Sequence, residues 1–404
     1  MSQARPLRRR LASSVIFITI LLDFAGFSIL IPVLPKVLEG LGASPLEIGI
    51  VLGLYVIALV LFLPVWGWIS DRVGRRPVLL ISMLGTGASL ILMALASELW
   101  HFYLARILGG LFGASVGTAQ AYMTDITSSR DRTEGLGLVG AATAAGVIFG
   151  PAIGGSLLAI NPVLPFYAPV GVALIAFLGA LFFLPESRPE LRAHRGWGEL
   201  WIALIPTPLL LFSREEPLRT RFFLLFFMVV FAGFATIEGM FPIYTEKRFD
   251  WTPATVGNFL SAIGLLIAVV QLALVGPLSN RFGENRVAAL GLLFASVGLL
   301  GVGQASSVGL MMFAGAVAAI GNGLWFPSFT SLYTKSLQPD QETGEYLARS
   351  VAMSQTGRGI GIVLAGAAHQ QLGVGREFGI AGLVLAGALA LQLFLGKGLG
   401  PRDP

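Results

Sequence analysis

The stretch that decides the fold is Gly67-Trp-Ile-Ser-Asp71-Arg72-Val-Gly74-Arg75-Arg76-Pro-Val-Leu-Leu80, called the charged loop below. It places one aspartate and three arginines within six residues. On each side lies an apolar run that is long enough to cross a bilayer. A soluble domain has no reason to hold so compact a charged group between two such runs. In a membrane protein the group is a short loop, held at the surface by the two helices that it joins.

The composition of the whole chain favours a polytopic membrane protein. Of its 404 residues, 55% are hydrophobic and 12% are charged, whereas about a quarter are charged in soluble domains. There is no cysteine, which excludes disulfides and thiolate metal sites. The net charge of +5 does not indicate nucleic-acid binding, because the basic residues fall in loops. No Gly-x-x-x-x-Gly-Lys-Ser/Thr phosphate loop is present, so ATP is not expected as an energy source. No cofactor and no metal are expected.

The apolar runs predict twelve spans, at about 11–37, 45–69, 77–97, 101–127, 135–160, 165–184, 219–244, 253–275, 287–304, 308–334, 345–371 and 378–396. A charged, proline-containing stretch follows span six. We therefore predict an N-terminal six-helix bundle over 1–184, a cytoplasmic linker over 185–217 and a C-terminal six-helix bundle over 218–404. Within the linker, residues 197–212 are apolar but too short to span, and we predict that they lie along the inner leaflet.

Basic residues are distributed unevenly between the two sides of this threading. Of the 27 lysines and arginines, 20 fall on the side of the termini, 4 on the opposite side and 3 inside spans. The excess of basic residues marks the cytoplasmic side. Both termini are therefore predicted to be cytoplasmic in a multi-pass protein of the inner membrane.

The second half of the sequence repeats the first. Residues 44–49 resemble 252–257 at a separation of 208, and 67–74 resemble 276–283 at a separation of 209. Two homologous six-span halves imply a binding cavity between them near the membrane midplane.

The second copy of the charged loop differs in its charges. Asn280 stands in place of Asp71, and Glu284 stands in place of Arg75. We expect a degraded copy, so that the first charged loop provides most of the gating electrostatics.

The charged loop resembles the loop-2/3 signature of the major facilitator superfamily, G-x-x-x-D-R-x-G-R-R/K. The matching residues are Gly67, Asp71, Arg72, Gly74, Arg75 and Arg76. Asp125 ends span four at the same inner surface, so Asp71, Arg75 and Asp125 are predicted to form a charge cluster. The resemblance implies that this cluster is a gating motif that docks on the start of span eleven.

Asp23 lies in the apolar middle of span one, where a charged side chain costs about 2.5–3.5 kcal/mol. It must face a wet cavity, pair with a cation or bind a proton; the alternative is a satisfied structural residue. The sequences at 22–26 and 32–35 look like span one of the drug:proton antiporter family, especially its tetracycline-exporter branch. This resemblance implies that Asp23 takes part in proton coupling or substrate recognition.

Arg106 opens a segment, 106–114, that resembles the family's span-four motif, in which the arginine faces the central cavity. Asp23 lies about 20 Å from the inner arginines and Arg106 about 8 Å from the outer end of its span. Both are therefore expected at similar depth, as a hydrogen-bonded pair that would couple protons and contact substrate. The alternative is that Arg106 snorkels to the outer headgroups.

Span five carries Gly146-x-x-x-Gly150-Pro151-x-x-Gly154-Gly155, which matches the antiporter signature of the superfamily. Small residues at this spacing let two helix backbones touch. We expect these residues to pack against span eight of the opposite half; a generic packing interface is the alternative. The resemblance implies export, since within the superfamily this motif marks exporters.

Glu238 in span seven and Arg358 in span eleven are the charges that the second half places inside the membrane. They are predicted to line the cavity or to pair, and Glu238 is a further candidate for proton coupling. Polar or aromatic groups at membrane depth that could contact substrate, besides the charged residues, are Asn258, Gln271, Asn322, Trp325 and Gln355. His101 and His369 lie near outer span ends and are predicted to be interfacial residues rather than proton relays.

The resemblance implies a twelve-span major facilitator protein, expected to be a monomer, that exports small amphipathic compounds in exchange for protons. Tetracycline exporters carry an acid in span nine, whereas residues 287–304 have none, which leaves the substrate open. One alternative is an importer or facilitator of a sugar, metal chelate or lipid on the same fold. An intramembrane enzyme would need clustered catalytic groups, and the predicted spans offer no such cluster.

Overall fold

A computed structural model describes residues 4–127, 132–187, 217–337 and 343–395. The predicted inner-leaflet segment, 197–212, lies outside these residues. Spans one to six of the first half are formed by Ala4–Ile29 with Leu34–Gly40, Pro45–Val73, Arg75–Ala94, Leu99–Leu111 with Ser115–Ile126, Arg132–Ile160 and Leu164–Phe183. Spans seven to twelve are formed by Leu218–Phe249, Pro253–Ala273 with Val275–Phe282, Glu284–Gln304, Val308–Ser336, Thr343–Leu372 and Arg376–Leu395.

Among the described residues, eleven spans are long and apolar enough to cross a membrane. The remaining one is span eleven, whose helix has 30 residues. At 1.5 Å per residue that helix is longer than the hydrocarbon core is thick. Its apolar character is reduced by polar residues that include Arg349 and Arg358. All twelve predicted spans are therefore helical, and span eleven is the most polar of them.

The charged loop is shorter than the sequence suggests. Span two continues to Val73 and span three begins at Arg75, so that Gly74 alone separates the two helices. Gly74 has φ +100°, and Gly283 at the corresponding position of the second half has φ +83°. Glycine adopts these positive φ values without the steric cost that a Cβ atom brings. The repeat is therefore present in the backbone as well as in the residues.

The chain divides into two compact units. Unit 1 comprises Met1–Leu41, Leu54–Pro206 and Thr252–Ser261. Unit 2 comprises Gly42–Gly53, Thr207–Trp251 and Ala262–Pro404. Unit 1 thus includes the first residues of span eight, and unit 2 includes the first residues of span two.

Three glycines of span five face span one, inside unit 1. A Cβ atom at Gly146, Gly150 or Gly154 would collide with backbone or side-chain atoms between Leu21 and Ile29. The hydroxyl of Ser28 also donates a hydrogen bond to the carbonyl oxygen of Gly146, at 2.8 Å. These glycines recur every fourth residue and so form one stripe along the helix. The prediction that they face span eight is wrong for this stripe.

Pro151 and Gly155 form a neighbouring stripe, and this one does contact the start of span eight. A Cβ atom at Gly155 would collide with the backbone of Pro253, and one at Gly257 with the carbonyl of Pro151. The amide of Ala152 donates to the hydroxyl of Ser261 at 3.1 Å. All these residues belong to unit 1. The antiporter signature therefore serves two interfaces, one for each stripe.

Replacement of Gly150 by leucine should push span one away from span five. Overpacking a tight contact costs typically about 1–3 kcal/mol, so we expect Gly150→Leu to lower the thermal unfolding midpoint of the purified protein. Gly140→Leu is the matched control, because no atom lies within 4 Å of a Cβ atom at Gly140 in the same helix. Equal unfolding midpoints for the two variants would show that the stripe is not a packing constraint.

Candidate functional site

The charged loop is organised around the guanidinium group of Arg75, whose side chain is 7% exposed. Nη2 lies 2.6 Å from Oδ1 of Asp71, one turn earlier, and Nε lies 3.1 Å from Oδ2 of Asp125. Nη1 donates to the hydroxyl of Ser70 at 2.8 Å. The predicted cluster of Asp71, Arg75 and Asp125 is therefore present, and it joins neighbouring ends of spans two, three and four.

Glu186 completes this cluster, although its place in the sequence indicates only a linker residue. Its two carboxylate oxygens accept hydrogen bonds from the backbone amides of Arg75 at 2.9 Å and of Arg76 at 3.1 Å. These amides belong to the first turn of span three, where backbone N–H groups have no partner within the helix. Ser187 donates to Asp125 at 3.1 Å. The end of span six is thereby joined to the same cluster.

The remaining residues of the motif have separate surroundings. The guanidinium of Arg72 lies over the ring of Trp68, 3.9 Å from its centroid. Arg76 Nη2 donates to the carbonyl of Leu181 at 2.5 Å. A Cβ atom at Gly67 would meet nothing within 4 Å. Nothing among the described residues of unit 1 explains a glycine at that position.

The second copy of the charged loop forms an ion pair with its charges exchanged. Oε1 of Glu284 lies 2.7 Å from Nζ of Lys335 and accepts a hydrogen bond from Ser331 at 2.6 Å. Glu284 lies 209 residues after Arg75, and Lys335 lies 210 residues after Asp125. The expectation of a degraded copy needs correction, because the pair between the two helix ends persists with opposite signs.

Asp23 is held by span four at a break in its helix. Residues 112–114 separate the two helices of this span, and Ser115 begins the second helix. Its hydroxyl donates to Oδ2 of Asp23 at 2.5 Å. The indole Nε1 of Trp66 donates a hydrogen bond to the carbonyl oxygen of Leu111 at 2.5 Å, and this contact stabilises the break. The interruption of span four therefore brings a hydroxyl to the carboxylate.

The predicted pair of Asp23 and Arg106 is not formed. The buried guanidinium of Arg106 lies 4.7 Å from the ring centroid of Tyr55, in cation–π geometry. Asp23 contacts Ser115, nine residues further along span four, which corresponds to about 13 Å of helix. The depth estimate is wrong, because Asp23 lies level with Ser115 at the start of the second helix of span four and not with Arg106 in the first. Burial of Arg106 also removes the alternative that it snorkels to the headgroups.

Glu238 and Arg358 do form the ion pair that was predicted as one of two possibilities. Nε of Arg358 lies 2.7 Å from Oε2 of Glu238, which joins spans seven and eleven within unit 2. Nη1 of Arg358 lies 3.4 Å from the amide oxygen of Gln355, so that a third predicted residue belongs to this group. The pair is partly exposed, and its charges compensate each other.

Trp325 cannot contact a substrate in this structure, so its prediction as a substrate contact needs correction. It is fully buried, and its ring is stacked on Phe329 at 5.4 Å, with Phe227 and Phe231 at 5.9 Å. These rings belong to the aromatic core between spans seven and ten. The other candidates are at least partly exposed and stay predictions: Asn258, Gln271 and Asn322.

The two histidines differ in their surroundings. Nδ1 of His101 accepts a hydrogen bond from the amide of Glu98 at 3.2 Å, and its ring stacks on Trp100. This places it at the first turn of span four, as an interfacial residue would be. His369 is buried instead, so its predicted interfacial position is wrong.

The sequence model of the family described as Major Facilitator Superfamily matches residues 16–274 and 223–404. The chain belongs to this superfamily. It is 33% identical to the class G tetracycline resistance protein of Vibrio anguillarum, over 82% of this chain and 84% of that protein. It is 28% identical to Multidrug resistance protein 2 of Bacillus subtilis, over 70% of each chain. These relatives place it in the drug:proton antiporter branch of the superfamily.

Solved structures of transporters share the fold of this major facilitator protein. The human organic anion transporter MFSD10 (TETRAN) superposes with a TM-score of 0.72 at 22% identity, over 95% of this chain and 99% of that one. A bacterial homologue of the lysosomal transporter Spinster gives a TM-score of 0.77 at 14% identity, over 96% and 97% of the two chains. The predicted major facilitator fold is thereby confirmed.

The two charge-exchanged pairs of this major facilitator protein should differ in strength. Arg75→Gln leaves a largely buried Asp125 without its guanidinium, and breaking a buried pair costs roughly 3–5 kcal/mol. Lys335→Gln breaks a pair whose lysine side chain is 57% exposed, and such pairs contribute about 0–1 kcal/mol. We expect a clearly larger drop of the thermal unfolding midpoint for Arg75→Gln. Similar drops for the two variants would contradict this ranking.

Proposed function

We propose that this protein is a proton-coupled efflux transporter of small amphipathic compounds that works by alternating access. The observation that carries the proposal is the carboxylate of Asp23, placed in the middle of span one and hydrogen-bonded by Ser115. Relatives over most of the chain are named for tetracycline or multidrug resistance. We propose the inner membrane as its location, cytoplasmic termini, a monomeric state and no catalytic activity.

Asp23 can change its charge without the loss of an ion pair. Among the described residues, no lysine or arginine lies within 4.0 Å of its carboxylate in an ion pair; its hydrogen-bond partner is the hydroxyl of Ser115. A hydroxyl can donate to a carboxylate and accept from a carboxylic acid. Ser115 can therefore satisfy Asp23 both before and after it binds a proton. A proton carrier needs a group of this kind.

Glu238 is less suited to proton coupling than Asp23. Its carboxylate is bound to Arg358, and the guanidinium of arginine does not lose its proton in proteins. Protonation of Glu238 would leave that cation without its counter-ion. We therefore assign Glu238 and Arg358 to the substrate path or to the structure of unit 2, and Asp23 to coupling.

The substrate class is proposed from the names of the relatives and from one difference to the tetracycline branch, which concerns an acid in span nine. Tetracycline is the first compound to test, because several relatives are named for resistance to it. The acid nearest to span nine, Glu284, is bound to Lys335 at the first residue of that helix. It is thus absent from the membrane part of span nine, where the tetracycline branch carries an acid. Other amphipathic compounds should therefore be tested in parallel.

The charge cluster around Arg75 is proposed to act as the gate. It fixes the ends of spans two, three, four and six as one block, which can move only as a unit. In one of the two alternating states this block would dock on the start of span eleven, and a partly exposed acid such as Asp71 could take part in that contact.

Asp71→Asn should abolish transport while substrate affinity and expression are preserved. Arg75 keeps Asp125 and Ser70 as partners in this variant, so that the block itself survives. Transport is measured as uptake of a fluorescent tetracycline or another substrate into inverted membrane vesicles, and affinity by binding to purified protein. Normal transport by Asp71→Asn would rule out the gate. Asp125→Asn, at a largely buried position, should also reduce stability and serves as the comparison.

Asp23→Asn should lose export that is driven by a pH gradient, yet still bind substrate and equilibrate it downhill. The amide keeps the size of the side chain and accepts from Ser115, but it cannot bind a proton. Uptake into inverted vesicles, with and without an imposed pH gradient, separates these activities and also distinguishes an exporter from an importer. Glu238→Gln is the comparison variant, which removes the other candidate carboxylate together with the counter-ion of Arg358. If Asp23→Asn sustains a full substrate gradient, Asp23 is not the coupling site and Glu238 becomes the leading candidate.

A further inference from the structure

A second group of ionisable residues lies where spans eleven and twelve are connected, and the mechanism described above does not use it. His369 stands near the end of span eleven and Glu377 in the first turn of span twelve. They are 4% and 2% exposed, and Nδ1 of His369 lies 2.9 Å from Oε1 of Glu377. Fully buried ionisable side chains are rare unless they are paired. The question is how many protons this pair holds.

The surroundings allow the pair to hold one shared proton while it is buried. Oε2 of Glu377 has no hydrogen-bond donor among the described residues. If the shared proton were lost, a buried carboxylate would remain with only a neutral imidazole beside it, and an uncompensated buried charge is strongly unfavourable. A second proton would leave a buried cation. The pair is therefore neutral when it is sealed, with one proton between the imidazole and the carboxylate.

Span seven also places ionisable groups near this pair, because Tyr244 interacts electrostatically with both Glu377 and Arg248. On span seven, Tyr244 donates its hydroxyl to the carbonyl of Val302 at 2.5 Å. Arg248 of the same helix donates Nε to the carbonyl of Ala305 at 2.8 Å. Span nine carries its ionisable residues, Glu284 and Arg286, at the opposite end.

Two further ionisable groups near the connection are also turned to other contacts. Arg376, at the start of span twelve, is exposed. Glu47, at the start of span two, accepts hydrogen bonds from the amide and the hydroxyl of Ser44 at 2.8 and 2.7 Å. Among the described residues, His369 is the hydrogen-bond partner of the Glu377 carboxylate.

A short connection joins the two helices that carry the pair. Gly373 and Gly375 both have φ +92°, and Val374 between them is 37% exposed. The same end of span eleven holds the start of span two within unit 2. The amide oxygen of Gln370, next to His369, accepts from the amide of Leu46 at 3.3 Å. Movement of this short connection would therefore admit water to the pair and loosen that contact together.

We propose that His369 and Glu377 form a second proton-binding site, at the end of unit 2 that faces outward in the proposed orientation. The site holds one proton while it is buried and exchanges it with outside water when the connection opens. No covalent step is involved: the proton moves from the imidazole–carboxylate pair to water, and the carboxylate left behind becomes hydrated. The inference rests on the proposed function only for its role in transport. The proton binding itself is independent of that function.

Proton binding can be measured directly, because the chain has only three histidines: His101, His194 and His369. A His101→Gln/His194→Gln variant leaves His369 as the single imidazole, whose nitrogen signals are followed by NMR of labelled protein over a range of pH. We expect the His369 signals to change with pH. The further change Glu377→Gln, which keeps the size of the side chain, should shift that pH dependence. His369 signals that are the same with and without the Glu377→Gln change would overturn the proposal.

Transport provides the second measurement. We expect Glu377→Gln and His369→Gln to flatten the dependence of substrate counterflow on outside pH, while counterflow at its optimal pH is retained. His101→Gln is the matched control at an outer span end, and should keep the wild-type profile. If both variants keep the wild-type dependence of counterflow on outside pH, the pair serves only to hold spans eleven and twelve together. If the NMR signals respond to Glu377→Gln but the wild-type protein shows no proton-driven transport, the proposed function fails and the proton-binding site stands.

Discussion

A buried guanidinium at the beginning of a helix is the constraint on which the first half depends. Arg75 begins span three directly after Gly74, and its side chain is almost entirely covered. The N-terminus of a helix already carries partial positive charge, so that a cation there is unfavourable unless acids surround it. Asp71, Asp125 and Glu186 supply them from the ends of spans two and four and from just beyond span six. The arginine thereby fixes four spans at one point.

The second half satisfies the same constraint with fewer charged residues. Glu284 begins span nine at the position that Arg75 occupies in span three. A carboxylate is favourable at a helix N-terminus, so one exposed lysine, Lys335, suffices as its partner. This explains why the acid at position 71 can be an asparagine, Asn280, in the second copy. Because the signs are exchanged, the residue at the helix N-terminus needs fewer charged partners in the second half. The two halves therefore keep the same contact between helix ends, but at different strengths.

The sequence predicted features that depend on hydropathy or on short spacing. The twelve spans follow from hydropathy, and the contact of Asp71 with Arg75 follows from their spacing of one helical turn. The pair of Glu238 with Arg358 was predicted because both are charges that the second half places inside the membrane. It could not predict how a helix is rotated about its axis, which decides that Gly150 faces span one. Nor could it locate the break at 112–114, because that stretch is apolar and the partners that stabilise it come from spans two and three.

Two residues were misjudged because their environment is set by distant parts of the chain. Glu186 follows span six by a few residues, as a linker residue would, yet it caps span three more than a hundred residues earlier. His369 lies near a span end, where histidines are commonly interfacial, but a glutamate across a tight glycine connection encloses it. In each case the deciding contact is a hydrogen bond between helix ends, which hydropathy does not reveal.

The break in span four has a consequence for the charge of the first unit. A continuous helix would give Ser115 an ordinary position inside span four, whereas the break makes it the first residue of a new helix beside Asp23. The guanidinium of Arg106 lies over the ring of Tyr55. Arg106 is about 13 Å from Ser115 along span four. Unit 1 therefore separates Arg106 from Asp23, while unit 2 joins Arg358 to Glu238 directly. Protonation of Asp23 would change the charge of unit 1 without the loss of an ion pair, whereas protonation of Glu238 would leave Arg358 without its counter-ion.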